Sequence, residues 1–241
     1  MFVAKTLWFF TQEMRRMYKY KILQISLFLA LLWCALLFFI GAEGAAQFLP
    51  LFLFIDASVM SMMMMGAILF YERQENTLKP LLVTPIGVTQ LILVRIVVGI
   101  LIALQSVIIL GLFARFVLGV ELMLMWWVFV VSVIAFAHGV LGFVISLLVK
   151  DFNGLLVNII VYMFVFGFPS IFFALGMFSP VWENILLFSP THGAFVLIEH
   201  GISRGTSTWV IVFALTYLIG LSGFFLVRFI IPRYALIGVK E

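Results

Sequence analysis

Charge is what this sequence has least of. Asp, Glu, Lys and Arg make up 10% of its 241 residues, against 66% hydrophobic residues. A soluble domain carries roughly 45–50% apolar and about 25% charged residues, so this chain cannot clothe a water-facing surface. A soluble enzyme, a disordered tail and a nucleic-acid-binding domain are excluded, and the net charge of +4 is no footprint for DNA or RNA. Cysteine is nearly missing. Cys34 alone permits neither an intrachain disulfide nor a thiolate metal cluster, and no metal site is expected. No G-x-x-x-x-G-K-[ST] loop occurs, so the chain does not cradle nucleotide phosphates in that way. Period-two alternation is absent too, which argues against an outer-membrane barrel. The first twenty residues are interrupted by Lys5, Glu13, Arg15, Arg16 and Lys19, so no cleavable signal peptide is expected.

What is present is long apolar runs, with a mean hydropathy of +1.30. A helix rises about 1.5 Å per residue and the hydrocarbon core is about 30 Å thick, so roughly 20 apolar residues cross it. Six runs of that kind are predicted, at about Ile22–Ala42, Phe48–Phe70, Leu91–Ala114, Leu122–Val149, Leu155–Phe178 and Trp209–Ile231. Backbone polar groups in lipid must be satisfied within their own segment, so the fold class is all-α integral membrane, a single transmembrane domain over 1–241. Six crossings put both termini on one side. Of the 14 Lys and Arg residues, only Arg115 and Arg204 then face outward, so both termini are expected in the cytoplasm of a multi-pass cell-membrane protein.

Between the runs the pattern changes. Val3, Leu7, Phe10, Met14 and Met17 recur at helical spacing opposite Lys5, Gln12, Arg16 and Lys19, which predicts an amphipathic helix over 2–20 lying on the inner interface. Short loops are expected at Glu43–Gln47, Arg115–Glu121 and Lys150–Asn153. Residues 179–208 mix Trp182, Phe188 and Phe195 with Pro180 and Pro190. They are too apolar for a free loop and too broken for a span, so short re-entrant helices on the outer side are expected.

The most informative stretch is the connection between the second and third runs. It carries Tyr71, Glu72, Arg73, Glu75, Thr77, Leu78, Lys79, Pro80, Leu81, Leu82, Thr84, Pro85 and Ile86. Glu75 and Lys79 have the spacing and order of a helical ion pair. Thr84-Pro85 reads as a cap followed by proline at a first helical position, restarting a helix into the third run. Exposed Leu78, Leu81 and Leu82 on a charged segment call for a protein partner.

This stretch resembles the cytoplasmic coupling segment of the membrane subunit of type-2 ATP-binding-cassette (ABC) exporters, acidic and Thr-Leu-containing and ending in Leu-Leu-x-Ser/Thr-Pro-Ile/Leu. Asn76 stands where that family usually has glycine, and Pro80 interrupts the helix. The six runs, the N-terminal helix and Ser189-Pro190-Thr191-His192 before the last run extend the likeness along the chain. The resemblance implies a permease subunit that is not itself an enzyme. It would pair with a second copy or a similar chain and couple to two ABC-type ATPase subunits, which would hold the ATP and Mg²⁺. Glu72, Arg73, Glu75, Thr77, Leu78, Leu81, Leu82, Thr84 and Pro85 would be the coupling residues.

Polar residues inside the runs are candidates for a substrate pathway, because a charge at the bilayer centre costs about 2.5–3.5 kcal/mol on insertion scales. They are Asp56, with Met60 and Met63 on its face, His138 and Asn158. Each has a plainer reading. Asp56 can be a boundary carboxyl, and His138 with Gly142 and Ser146 suits a close helix contact. The consecutive methionines 62–65 point around a helix and suit adaptable packing better than soft-metal binding. Gly220-Leu221-Ser222-Gly223 matches the pattern of intramembrane serine proteases, but no histidine follows it to serve as base. An ATP-independent transporter or channel, and an intramembrane enzyme or scaffold, stay open beside the exporter. The abundance of Phe and Met favours a hydrophobic or amphipathic cargo such as a drug, lipid or peptide.

Overall fold

A computed structural model of the chain describes residues 2–75 and 87–233, with backbone alone for 2–5, Arg73 and Pro180. Among the described residues every regular element is helical and no strand occurs. The helices are α1 (Phe2–Lys19), α2 (Ile22–Ile55), α3 (Ser61–Gln74), α4 (Val88–Phe116), α5 (Leu124–Leu148), α6 (Phe152–Tyr162), α7 (Phe168–Ala174), α8 (Glu183–Leu186), α9 (Pro190–Ser203) and α10 (Thr208–Phe225). Single π-helical turns join α2 to α3 at Asp56–Met60 and α6 to α7 at Met163–Gly167, and another extends α10 at Leu226–Ile230.

Five helical runs are long and apolar enough to cross a membrane: Ile22–Glu72, Val88–Phe116, Leu124–Leu148, Phe152–Ala174 and Thr208–Arg233. Their outer faces are as apolar as their cores. Phe39 is 85% exposed, Met125 79% and Phe116 77%. Contiguous apolar surface of this extent has no place in water, and the chain is a multi-pass membrane protein by architecture.

The first run holds the largest departure from the sequence reading. Instead of a loop at Glu43–Gln47, those residues are helical, and the break falls at one residue, Gly41, with φ 81° and ψ 173°. That region is open essentially to glycine only. The chain doubles back there, for Trp33 and Phe52 stack at 4.6 Å although 19 positions separate them. Ala42, Glu43, Ala45, Ala46 and Gln47 form helix readily, so the reversal needs no loop.

α5 is the central element, the most buried of the long helices, and it packs against α3, α4, α9 and α10. Its contact with α3 is close. A Cβ on Gly142 would overlap the Met62 carbonyl, and His138, Gly139, Gly142 and Ser146 are all buried on that side. Small residues let the two backbones meet without a side chain between them. Trp126 and Trp127 donate their indole N–H groups to the Leu197 and Ile198 carbonyls, each at 2.8 Å, fastening α9 to α5. α9 is thus a 14-residue helix buried from Pro190 to Ile198, longer and better covered than the broken pieces expected there.

α1 also differs in its face. Its buried stripe is Phe9, Glu13 and Met17, while Leu7, Trp8 and Tyr18 are exposed. A hydrophobic-against-polar reading assumes water on the outside. At an interface Leu7 and Trp8 are free to turn outward, and an acid is buried because bases wait for it.

Candidate functional site

Those bases are Arg95 and Arg16. Arg95 lies two turns into α4 and is fully buried. Its Nη2 donates to Glu72 Oε1 at 2.5 Å and its Nε is 3.5 Å from Glu13 Oε1. Arg16 closes the square, with Nη1 donating to the same Glu72 oxygen at 2.5 Å and Nη2 3.0 Å from Glu13 Oε2. Two acids and two guanidinium groups, a formally neutral set, join α1, α3 and α4. Burial raises the Glu13 carboxyl above its ordinary value, and the attraction of Arg95 and Arg16 only partly opposes it.

Aromatic and polar contacts extend the junction. The Tyr20 hydroxyl donates to Glu75 at 3.2 Å, its ring stacks on Tyr71 at 6.1 Å, and Tyr71 stacks on Phe152 of α6 at 5.9 Å. Gln90, one turn into α4, donates to Thr6 of α1 at 3.4 Å. Its Oε1 accepts from Gly87 N at 3.1 Å, so extended Gly87 caps a helix that begins at Val88. The helix into the third run therefore starts at Val88 with extended Gly87 before it, and does not continue upstream through Gly87 as the reading from Thr84-Pro85 expects. Both ends of the 76–86 connection are fastened to α1. Thr77, Leu78, Leu81, Leu82, Thr84 and Pro85 themselves lie outside the described residues, and Arg73 is described in its backbone alone.

Comparison with known protein families, curated proteins and solved structures found no match. The site therefore stands on its own geometry. The sequence places Glu72 and Glu75 in the coupling segment and Arg16 on the polar face of the N-terminal helix, but gives Glu13 and Arg95 no part in a site. The available signal was a base at the fifth position of the apolar run 91–114 and an acid four residues from both Phe9 and Met17.

The candidates for a substrate pathway do not converge. Asp56 and Met60 line one cavity of about 10 Å³ with Ser26 and Ser61. Met63 packs in a separate cluster with Met62, Leu155 and Ile159. His138 is buried, donating from Nδ1 to the Ile134 carbonyl at 3.1 Å, with Tyr162 edge-on at 6.1 Å. Asn158 is exposed and donates back to Gly154 at 2.8 Å. The other methionines divide between two packing clusters, Met64 and Met65 in one and Met62 in the other. The Ser222 hydroxyl donates to the Leu218 carbonyl of its own helix, an ordinary intrahelical use.

Ser189-Pro190-Thr191-His192 has a definite structural task. In the π-helical turn before α7, the Phe166 carbonyl accepts from Thr191 Oγ1 at 2.5 Å, Ser170 at 3.0 Å and Ser189 at 3.4 Å. The motif holds a backbone acceptor that the widened helix leaves available. His192 beside it is fully buried against Phe173, ring centroids 5.1 Å apart, and neither ring nitrogen meets a protein partner. Burial lowers its pKa to about 4. Nearby, a cavity of about 110 Å³ opens between α2, α7 and α9, apolar but for Gln47, Glu199 and Ser203.

Proposed function

We propose that this chain is the membrane-spanning subunit of an ATP-driven exporter of the type-2 ABC class. It acts with a second copy or a similar chain and takes its energy from two separate ATPase subunits that bind ATP and Mg²⁺. The carrying observation is the buried square of Glu13, Arg16, Glu72 and Arg95. It ties the N-terminal helix to both helices that flank the 76–86 connection, so a push on that connection reaches α1, α3 and α4 as one body. A solvated loop linking two spans has no use for such a fastening.

Two further features support the reading. The 51-residue run Ile22–Glu72 is about 75 Å of helix, and folded back at Gly41 it supplies two crossings. Six crossings result, with both termini on the side richer in Lys and Arg, the cytoplasm. Among the described residues, the cavities around Asp56 and between α2, α7 and α9, of about 10 and 110 Å³, fall short of the roughly 300–1,000 Å³ of small-molecule sites. A pathway between two copies fits that scale better, with a hydrophobic or amphipathic cargo.

Affinity purification of the full chain from its native membrane is expected to recover a phosphate-loop ATPase whose hydrolysis is vanadate-sensitive. Changing Glu75→Gln together with Leu78→Ala should lower that recovery while leaving the chain's own melting midpoint unchanged. Gradient-driven flux by the chain alone in liposomes, with no ATPase present, would overturn the reading.

A further inference from the structure

Asp56 is a buried acid that meets no base among the described residues. It is 3% exposed, in the π-helical turn between α2 and α3, and its Oδ1 meets no hydrogen-bond partner. The indole N–H of Trp33 from the facing arm of α2 and the hydroxyl of Ser106 from α4 lie against its carboxyl as polar neighbours, though neither reaches it with full hydrogen-bond geometry. Ser58, in the same turn and fully buried, is unpartnered as well. The cavity beside Asp56 adds Ser26 and Ser61, with Gly99 and Met60 in its wall. Its volume of about 10 Å³ is that of one water-sized sphere. None of the groups facing Asp56 from α2, α3 or α4 is basic. Arg95, one turn from Gly99, is engaged with Glu13 and Glu72.

A buried carboxyl with one oxygen left open, the Ser106 hydroxyl beside it, Ser26 and Ser61 in the wall of the same cavity and room for one small sphere are oxygen chemistry short of one positive charge. We propose that Asp56 and the hydroxyls around it form a binding site for a single alkali cation, Na⁺ or K⁺. Hard oxygen donors select a hard cation. One carboxylate neutralises one charge, so a monovalent ion is matched where Mg²⁺ or Ca²⁺, which gather more anionic ligands, is not. The π-helical turn fits the assignment, since such turns displace the backbone from regular pairing and recur at functional sites. The bound ion would clamp the facing arm of α2, the start of α3 and the middle of α4 together. The site needs no ATPase, so its fate is independent of the exporter reading.

The test uses the purified full chain in nanodiscs at constant ionic strength, with choline replaced stepwise by Na⁺ or by K⁺. A ligand that binds only the folded state raises the melting midpoint with its concentration. A saturable rise with one alkali ion, and radiolabelled ion bound at one per chain, are the expected results. Asp56→Asn should abolish both, and Ser106→Ala should weaken the apparent affinity about tenfold, as loss of a supporting group around a metal does. Should Asp56→Asn fail to fold, the Ser106→Ala titration and competition by unlabelled ion carry the test. Equal midpoints in choline, Na⁺ and K⁺, or an unchanged rise in Asp56→Asn, would overturn the proposal. So would a midpoint that follows pH alone, which would mean a proton fills the role.

Discussion

Arg95 is the side chain on which the junction depends. Removing one partner of a buried ion pair leaves the other charge buried and unpaired, at a cost of about 3–5 kcal/mol. Arg95→Met should therefore lower stability by about that amount in detergent, read from thermal or denaturant unfolding. Adding Glu13→Gln to Arg95→Met should restore part of the loss, because the two residues share one network. Additive effects would mean that the pair does not interact. His192 presents the opposite case, a buried base with no partner. Its ordinary pKa is 6.5 and burial lowers it to about 4. Between those values the unfolded chain binds the proton that the folded chain refuses, so stability falls as pH falls through that window and is fully present above pH 6.5. His192→Leu should flatten this slope. It should also raise stability at neutral pH by about 1–3 kcal/mol, since two unsatisfied buried nitrogens disappear. Unfolding midpoints measured across that range check both. A variant that is firmer yet inactive would give the imidazole a functional role that its packing alone does not.

At the scale of elements, α3 and α5 meet at Gly142 with no room for a methyl group. Gly142→Ala must push Met62's backbone away, and overpacking of this kind costs about 1–3 kcal/mol. Gly41→Ala should lose a similar amount for a different reason. Nothing lies within 4 Å of the added Cβ, but the backbone angles there carry a strain of about 1–3 kcal/mol for other residues. Gly220→Ala, in α10 with open space around it, is the control and should lose nothing. Melting midpoints of the three variants decide between crowding, strain and neither. These elements also show what the sequence makes legible. The runs at 91–114, 122–149 and 209–231 fall within a few residues of α4, α5 and α10 with its extension, because twenty apolar residues in lipid have one regular solution. The reversal after Ala42 was legible, but its compression to the single residue Gly41 was hidden, since glycine is common in membrane helices and only its dihedral angles distinguish a turn from a packing position. The buried side of α1 was hidden for a related reason. A helix with lipid on one side and protein on the other does not sort its residues by polarity, and Glu13 is placed by Arg95 from 82 positions away.

For the whole molecule the question is whether α1 moves with the connection it grips. Four anchors hold it: Thr6 to Gln90, Glu13 to Arg95, Arg16 to Glu72, and Tyr20 of the turn after it to Glu75. Of these Arg16 is the most suitable to cut. Its side chain is 23% exposed, and without it Arg95 still pairs with both Glu13 and Glu72. Arg16→Gln should consequently fold with only a small loss of stability while loosening the tie between α1 and α3. On the exporter proposal, trapping the proposed ATPase partner with vanadate should change amide hydrogen exchange in residues 61–75 and 87–95. If the junction acts as one body, exchange in α1 changes with them in the unaltered chain. In Arg16→Gln the response of α1 should weaken relative to that of α3 and α4, which keep the direct Arg95–Glu72 bond, while the surviving Glu13–Arg95, Thr6–Gln90 and Tyr20–Glu75 ties preserve part of it. Hydrogen exchange reads local opening segment by segment, so the two patterns separate cleanly. An α1 whose exchange ignores the trapped ATPase in the unaltered complex would show that the buried square serves stability alone.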